Sequence, residues 1–405
     1  MQKEKFISIE MSKWKAATPR QIINQIIRKE YVTIAELAKV LNVSVPTITK
    51  VINMLVENGV IIGAGKYEYT GGRIPALYKL KPDFGYFLGV EPTHDYINLG
   101  ITNFDGELIN EKRGVPYIYK NTPESLEEMM TIVKGYIHET GIDKRKLLNV
   151  CFNVSGRVNP FIGKAYSQFT FLDEPMAKVF SQKIGLPVCI ENDTRAMAYG
   201  EYLKGNSKSA KNVLFINLSW GLGMGIIIEG NLYYGKSGFS GEIGHMKIYD
   251  NNIICHCGKI GCMETEVSGS AMVRKMNEKI QNGERSILSE RLLTKGEKLT
   301  LDDVLNGIRY EDTLCIDTLQ NISVELGKNL AGIINVFNPE IVVIGGTLSV
   351  TGNDIATLVD MSIKKYSLNI VNEDSKVIIS KLRNRAGLIG ACMVARARLF
   401  EDVIL

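Results

Sequence analysis

Two runs, Gly238-Phe-Ser-Gly-Glu-Ile-Gly-His245 and Cys255-His-Cys-Gly-Lys-Ile-Gly-Cys-Met-Glu264, say more about this chain's architecture than any others. Cys255, Cys257 and Cys262 sit within eight residues, and Gly258 and Gly261 permit the tight turn between them. Three thiolates need a fourth ligand to close a tetrahedral zinc site. His245, ten residues upstream after a glycine, is the first candidate. His256 is the second, because an extended turn points it away from its neighbours. A closed Cys₃His site is structural, with no open position for catalysis. The competing readings are a redox pair and three buried free cysteines.

Outward from this cluster the chain has 405 residues, too many for one ordinary core and suited to two or three domains. Hydrophobic residues make up 45% and charged residues 23%, which excludes a disordered, fibrous or disulfide-stapled protein. No apolar run reaches the roughly 18 residues that span a bilayer, so no membrane partner is expected. The first residues, MQKEKFISIEMSKWK, are charged and lack an apolar signal-peptide core, so the expected compartment is cytoplasmic.

Charge is unevenly placed. Residues 1–80 hold 12 Lys and Arg against 6 Asp and Glu, leaving 36 against 38 for the rest of the chain. A basic module on a near-neutral body suits a polyanion such as nucleic acid, although a solvated basic face looks the same by charge alone. Pattern adds more. In TPRQIINQIIRKE, Ile22, Ile23, Ile26 and Ile27 form one helical stripe. Thr33 with Glu36 makes a capping box before Leu37, Ala38 and Leu41. After the Asn42-Val43 turn, Ser44 caps a third helix that tolerates Pro46 in its first turn. Val45, Ile48, Ile52 and Leu55 face inward on that helix. Pro46, Lys50 and Asn53 face outward, with Thr47 and Thr49 on its flanks. Two strands follow, Val60–Ile62 and Leu77–Leu80. The loop between them holds Lys66 and Thr70-Gly71-Gly72-Arg73. Three short helices and a wing make a winged helix-turn-helix, whose third helix suits a DNA major groove. Pro46, Thr47, Thr49, Lys50, Asn53, Gly72 and Arg73 are the candidate DNA contacts. The competing reading is a small helical dimerisation bundle.

The remainder alternates strands and helices. Tyr86–Val90, Tyr96–Thr102 and Glu107–Gly114 read as a meander, with a turn at Asp105-Gly106. A helix near 123–139 and buried strands at Leu148–Val154 and Val188–Ile190 follow. Val213–Leu218, Gly225–Glu229 and Asn231–Tyr234 read as a second meander. Helices near 265–281 and 317–337 and a strand at Ile341–Ile344 come next. The body is thus α/β with mixed sheets in two similar halves. Residues 282–312 are polar and read as a loop-rich excursion.

These residues together resemble the ROK family, named for repressors, open reading frames and sugar kinases. The resemblance rests on the two motifs quoted first. It is extended by Glu191-Asn192-Asp193, Pro339-Glu-Ile-Val-Val-Ile-Gly-Gly346, Ala386-Gly-Leu-Ile-Gly-Ala391 and the wing's Gly71-Gly72-Arg73, and it covers nearly the whole chain. It implies a two-lobed, actin-like (ribonuclease-H-like) α/β body with sugar bound in its cleft, behind the winged helix-turn-helix. The implied layout is a DNA-binding domain at 1–82, a first lobe at 83–200 with the C-terminal helix 387–405 packed back on it, and a second lobe at 201–386 with the zinc site.

The resemblance supports His245 as the fourth zinc ligand. It also implies a sugar site of Gly156, Asn192, Asp193, Glu242, His245 and Glu264. Carboxylates and amides suit the donor and acceptor hydroxyls of a hexose, and a metal-held histidine can offer its other nitrogen. Taken singly, Asp193 could equally cap a helix starting at Thr194.

In the family's kinases Asp193 would be the general base. Their phosphate cradle begins with an Asp, an apolar residue, two glycines and a Thr. Here the stretch is Glu91-Pro92-Thr93-His94-Asp95, without either glycine. The second phosphate turn, Ser219-Trp220-Gly221-Leu-Gly223, has an indole in place of a Thr. The expected function is therefore a sugar-responsive repressor of carbohydrate-utilisation genes, not an enzyme. It would bind near-palindromic operator DNA as a homodimer or dimer of dimers. The alternative is an ATP-dependent sugar kinase with an appended DNA-binding module.

Overall fold

The computed structural model describes residues 17–66, 75–294 and 296–400. Of these, residues up to 191 together with 391–400 form one compact unit, and 192–390 form a second. None of the described helices is long and apolar enough to cross a membrane.

The first unit opens with helices α1 (Ala17–Lys29), α2 (Ile34–Leu41) and α3 (Val45–Glu57). The isoleucine stripe of α1 is buried, as are Leu37 of α2 and Ile48, Ile52 and Leu55 of α3. The expected capping box is present: Glu36 N donates to Thr33 Oγ1 at 3.2 Å, and Thr33 N donates to Glu36 Oε2 at 3.0 Å. Such a cap contributes about 1 kcal/mol. Asn42 ends α2 in the left-handed region, and Ser44 caps α3. Val45 departs from expectation, being exposed. It is the first residue of α3, so its side chain leans back beyond the helix start instead of onto the inward face.

Strands β1 (Ile61–Lys66) and β2 (Ala76–Leu80) pair antiparallel, with Ile61 opposite Leu80. Lys66 pairs with Ala76, so it closes the strand and is not part of the wing loop. Gly72 and Arg73, with Thr70 and Gly71, lie outside the described residues.

The first lobe follows with β3 (Tyr86–Pro92), β4 (Tyr96–Asn103), β5 (Leu108–Pro116), α4 (Pro123–Glu139), β6 (Leu147–Val154), β7 (Val158–Asn159), β8 (Lys164–Ala165), α5 (Met176–Ile184) and β9 (Val188–Asn192). Its sheet order is β5-β4-β3-β6-β9. β3 and β4 are antiparallel, and β3 and β6 parallel. Leu88, Val90, Leu99, Val150 and Phe152 are buried, as strands covered on both faces require.

The second unit contains α6 (Asp193–Lys204), β10 (Val213–Leu218), β11 (Leu222–Ile228), β12 (Asn231–Leu232), α7 (Gly269–Gln281), α8 (Leu301–Arg309), α9 (Thr313–Phe337), β13 (Ile341–Gly345), α10 (Asn353–Tyr366), α11 (Asn369–Asp374) and β14 (Lys376–Ile379). Its sheet runs β12-β11-β10-β13-β14. That is the third-second-first-fourth-fifth order of the first lobe, so the two halves share one topology. One core packs this sheet against α7, α8, α9 and α10, with Ile216, Met272, Met276, Val304, Ile322 and Val359 at its centre.

The excursion at 282–312 is more ordered than its polarity suggests. Leu299, Leu301, Val304 and Leu305 are buried in that core, and Thr300 caps α8 in a box with Asp303. A short amphipathic helix hides its few apolar residues among charges, which averages to "polar" over a long window. The final helix, α12 (Ala386–Phe400), carries residues 391–400 back into the first unit. There Ala395 O accepts from Asn149 Nδ2 at 2.8 Å, and the Phe400 ring meets Phe104 at 5.8 Å.

Candidate functional site

The second unit's chemistry lies in the segment between β12 and α7. Two glycines let this segment cross β11 backbone to backbone. A Cβ on Gly241 would lie 1.8 Å from Met224 O, and one on Gly244 would lie 2.3 Å from Leu222 O. Gly241 also has φ +85°, where other residues are strained. The close crossing lets Met224 N donate to Gly241 O at 3.0 Å. It places Glu242 at the head of the single 3₁₀ turn Ile243–His245.

The cysteine loop folds under that turn. Cys255 N donates to Lys259 O and Gly258 N to Cys255 O, both at 2.8 Å. Met263 N reaches Met246 O at 2.8 Å and closes the loop beneath His245. His245 Nδ1 and the sulfurs of Cys255, Cys257 and Cys262 all lie within 4.8 Å of one another. The Cys255 Sγ–His245 Nδ1 distance is 3.6 Å and the Cys257 Sγ–Cys262 Sγ distance 3.7 Å. With zinc–sulfur bonds of about 2.3 Å and zinc–nitrogen bonds of about 2.05 Å, a tetrahedron has edges of about 3.8 and 3.5 Å. The two distances match tetrahedral edges, and the whole donor set is close enough to close on one metal ion. Burial above all pushes the Cys255 thiol up to about 12, so a cation is what would let these thiols ionise together.

His256, the second candidate, also reaches the cluster, with its Nδ1 3.8 Å from Cys255 Sγ, but the same nitrogen is engaged by a carboxylate. Its side chain is 70% exposed and its Nδ1 lies 2.7 Å from Glu264 Oε1. The other oxygen of Glu264 accepts the Leu222 amide at 2.9 Å. His245 directs Nδ1 at the thiols, while its Nε2 lies 3.7 Å from Glu242 Oε2.

At the start of α6, Asn192 is the helix cap, accepting from Arg195 N at 3.1 Å. Asp193 is the first helical residue and is partly exposed. Its Oδ1 accepts from Thr194 N at 2.7 Å and from Asn192 Nδ2 at 3.0 Å. The capping role considered for Asp193 therefore falls to Asn192, whose amide steadies the aspartate. Sequence reasoning missed what holds this helix start in place. Buried Arg195 donates through Nη1 to Gly238 O, tying α6 to the loop that carries Glu242. Thr194 Oγ1 accepts from Asn217 Nδ2 at 2.9 Å, tying α6 to β10. Isolated polar residues in apolar strands, such as Asn217, were the available signal. Glu242, His245 and Glu264 lie on the segment packed against β11, and Asn192 and Asp193 open α6, which packs against the same strand. Gly156 belongs to the first unit, at φ +88°, where a Cβ would meet Ser167 Oγ at 2.6 Å.

Both turns compared with phosphate cradles are occupied by their own contacts. After β3, Thr93 N donates to Tyr96 O at 2.8 Å and Tyr96 N to Thr93 Oγ1 at 3.1 Å. Exposed His94 and Asp95 pair at the tip at 2.7 Å. After β10, Ser219 N donates to Gly221 O at 3.1 Å.

On α3, Pro46, Thr47, Lys50 and Asn53 are exposed and Thr49 is partly buried. Thr49 Oγ1 bonds Val45 O and Thr47 Oγ1 bonds Ser44 Oγ, both at 2.8 Å. Among the described residues, the side chains of Lys50 and Asn53 make no hydrogen bond or ion pair. Their ends remain available to a partner.

The ROK family model matches residues 87–398, and a winged helix-turn-helix DNA-binding model matches residues 16–62. A xylose repressor of Caldicellulosiruptor bescii is 25% identical over 91% of this chain and 92% of its own. A glucokinase of Halalkalibacterium halodurans is 29% identical over 75% of this chain and 93% of its own. The solved structure of a ROK family transcriptional regulator, a homolog of the E. coli MLC protein, superimposes with a TM-score of 0.78 at 24% identity. It covers 95% of this chain and 97% of that one. The chain belongs to the ROK family and carries an N-terminal winged helix-turn-helix.

Proposed function

We propose that this member of the ROK family is a sugar-responsive transcriptional repressor of carbohydrate-utilisation genes. The observation that carries it is one chain joining a winged helix-turn-helix, with Lys50 and Asn53 exposed on its third helix, to a ROK body that holds Glu242, His245 and Glu264 against β11 and opens the neighbouring α6 with Asp193. The xylose repressor's near-full coverage of both chains supports the same reading. In this reading α3 enters the major groove, with Pro46, Thr47 and Thr49 beside the backbone and Lys50 and Asn53 at base edges. Gly72 and Arg73 serve the wing. Binding as a homodimer places two α3 helices on a near-palindromic operator.

The sugar binds Asp193, Glu242, His245 and Glu264, with Asn192 holding Asp193. One zinc is held by His245 Nδ1, Cys255, Cys257 and Cys262. That leaves His245 Nε2, beside Glu242, to meet a hydroxyl. The zinc supplies structure and the imidazole's orientation.

No phosphoryl transfer is assigned. Asp193 would suit a general base, and the glucokinase relative keeps a kinase reading in view. Against it stand the turns after β3 and β10, whose amides at Thr93, Tyr96 and Ser219 are already bonded within the turn. Pro92 contributes no N–H. The deciding experiment titrates operator binding by the full chain with a panel of sugars, while ADP release from ATP is followed in parallel. A sugar that shifts operator affinity with no ADP formed is expected. Turnover of ATP with a sugar would establish the kinase instead.

A further inference from the structure

Trp220 stands at the β10–β11 turn with 60% of its surface exposed. An indole carries one of the largest apolar surfaces of any side chain, with a flat electron-rich face that can take a ligand. The turn is held from three sides. The carbonyls of Ser219 and Trp220 accept from Gly269 N and Ser270 N at the start of α7, at 2.7 and 3.0 Å. Glu264 Oε2 accepts the Leu222 amide, and a Cβ on Gly221 would lie 2.6 Å from that oxygen. A Cβ on Gly223 would lie 2.7 Å from Thr194 Oγ1, the hydroxyl next to Asp193. The glycines at 221 and 223 thus let the turn settle between the Glu264 carboxylate and the Thr194 hydroxyl. Trp220 is carried one residue from the contact with Glu264.

We propose that Trp220 is the stacking wall of the sugar site and a determinant of its specificity, an inference that rests on the sugar-binding reading above. A pyranose with equatorial hydroxyls turns its hydroxyl edge outward and shows C–H bonds on its faces. Carboxylates and His245 take the edge by hydrogen bonds. The electron-rich indole face takes the weakly positive C–H face, as aromatic faces take positive edges generally. An axial hydroxyl on the stacked face would hold the ring off the indole and lose its own water without a new partner. The ligand class is therefore a pyranose whose stacked face carries no axial hydroxyl, whichever face that is.

The chain has two tryptophans, Trp14 and Trp220. A full-length Trp14→Phe variant leaves Trp220 as the sole indole and so reports the site directly. It is titrated with D-glucose and D-xylose, and with D-allose and D-galactose, epimers of glucose whose axial hydroxyls stand on opposite ring faces so that only the one blocking the stacked face is disfavoured, by fluorescence and by calorimetry. The expected result is a saturable change in indole emission for the equatorial sugars, with a midpoint equal to the calorimetric Kd. Trp220→Ala should weaken that Kd about tenfold and narrow the gap between the epimers, and Trp220→Phe should restore most of the affinity. An unchanged Kd and unchanged epimer preference in Trp220→Ala would overturn the stacking role while leaving the sugar site standing. Calorimetry showing no sugar bound by the wild type would overturn the sugar reading and the stacking role with it.

Discussion

The two halves of the body share one strand order, yet the turns that open their first hairpins are built for different ends. The turn after β3 is pinned by Thr93 and Tyr96 and, through its His94 and Asp95 carbonyls, by the amides of Tyr119 and Tyr117 just beyond β5, and it offers solvent a His94–Asp95 side-chain pair. The turn after β10 is wired instead to the segment that carries the candidate site, to the start of α7 through its carbonyls and to Glu264 through Leu222. Topology placed both turns alike. Their neighbours decided what each does. The second half inserts the glycine-rich segment and cysteine loop between β12 and α7, and this gives its turn the Glu264 carboxylate to rest on. At the equivalent place, between β5 and α4, the first half has only residues 117–122.

That contrast can be broken most severely at the cysteine loop. Cys257→Ser removes one of four ligands. We expect purified wild-type protein to hold one zinc per chain by metal analysis, and the variant to hold little. Losing the metal should cost about 3 kcal/mol or more, lowering the melting temperature by roughly 6–12 °C and abolishing sugar binding. Well-folded wild-type protein without zinc would end the metal assignment.

The next effect lies in the winged helix-turn-helix, which the contrast predicts to be independent of the metal. Lys50→Ala or Asn53→Ala should weaken operator binding by about 1–3 kcal/mol if either reads a base bidentately, with no change in zinc content. A Lys50→Ala, Arg73→Ala double variant with wild-type operator affinity would place the DNA on another face.

Asp193→Asn tests whether the second half holds the sensor. The asparagine keeps the oxygen that accepts from Thr194 N, so stability should hardly move. The sugar-induced change in operator affinity should shrink, and about 1.4 kcal/mol of lost coupling would appear as a tenfold smaller shift. A full sugar response from this variant would remove Asp193 from the site.

The smallest effect is local. Thr33→Ala deletes the side-chain half of the α2 capping box and should cost about 1 kcal/mol of stability in urea melts, without touching zinc or sugar binding. No change in the midpoint would show that α2 is held by packing alone.

Local rules make much of this molecule legible in its residues alone. The α1 isoleucine stripe, the Thr33–Glu36 box, the Ser44 cap, both meanders and the spacing of Cys255, Cys257 and Cys262 are short-range patterns, each set by a few neighbouring residues. Such patterns suffice for the winged helix-turn-helix, the two-half α/β body and the set of metal donors. The remaining features depend on residues far apart in the chain. Arg195 meets Gly238, Asn217 meets Thr194, and Leu222 meets Glu264. The buried face of α8 also shows only once a core lies against it. No periodicity marks such contacts, because each partner reads locally as an ordinary helix or strand residue. Which oxygen of Glu264 faces the Leu222 amide, and which nitrogen of His245 faces the thiols, follows from β11 passing beneath Gly241 and Gly244. Only the folded chain brings those backbones together.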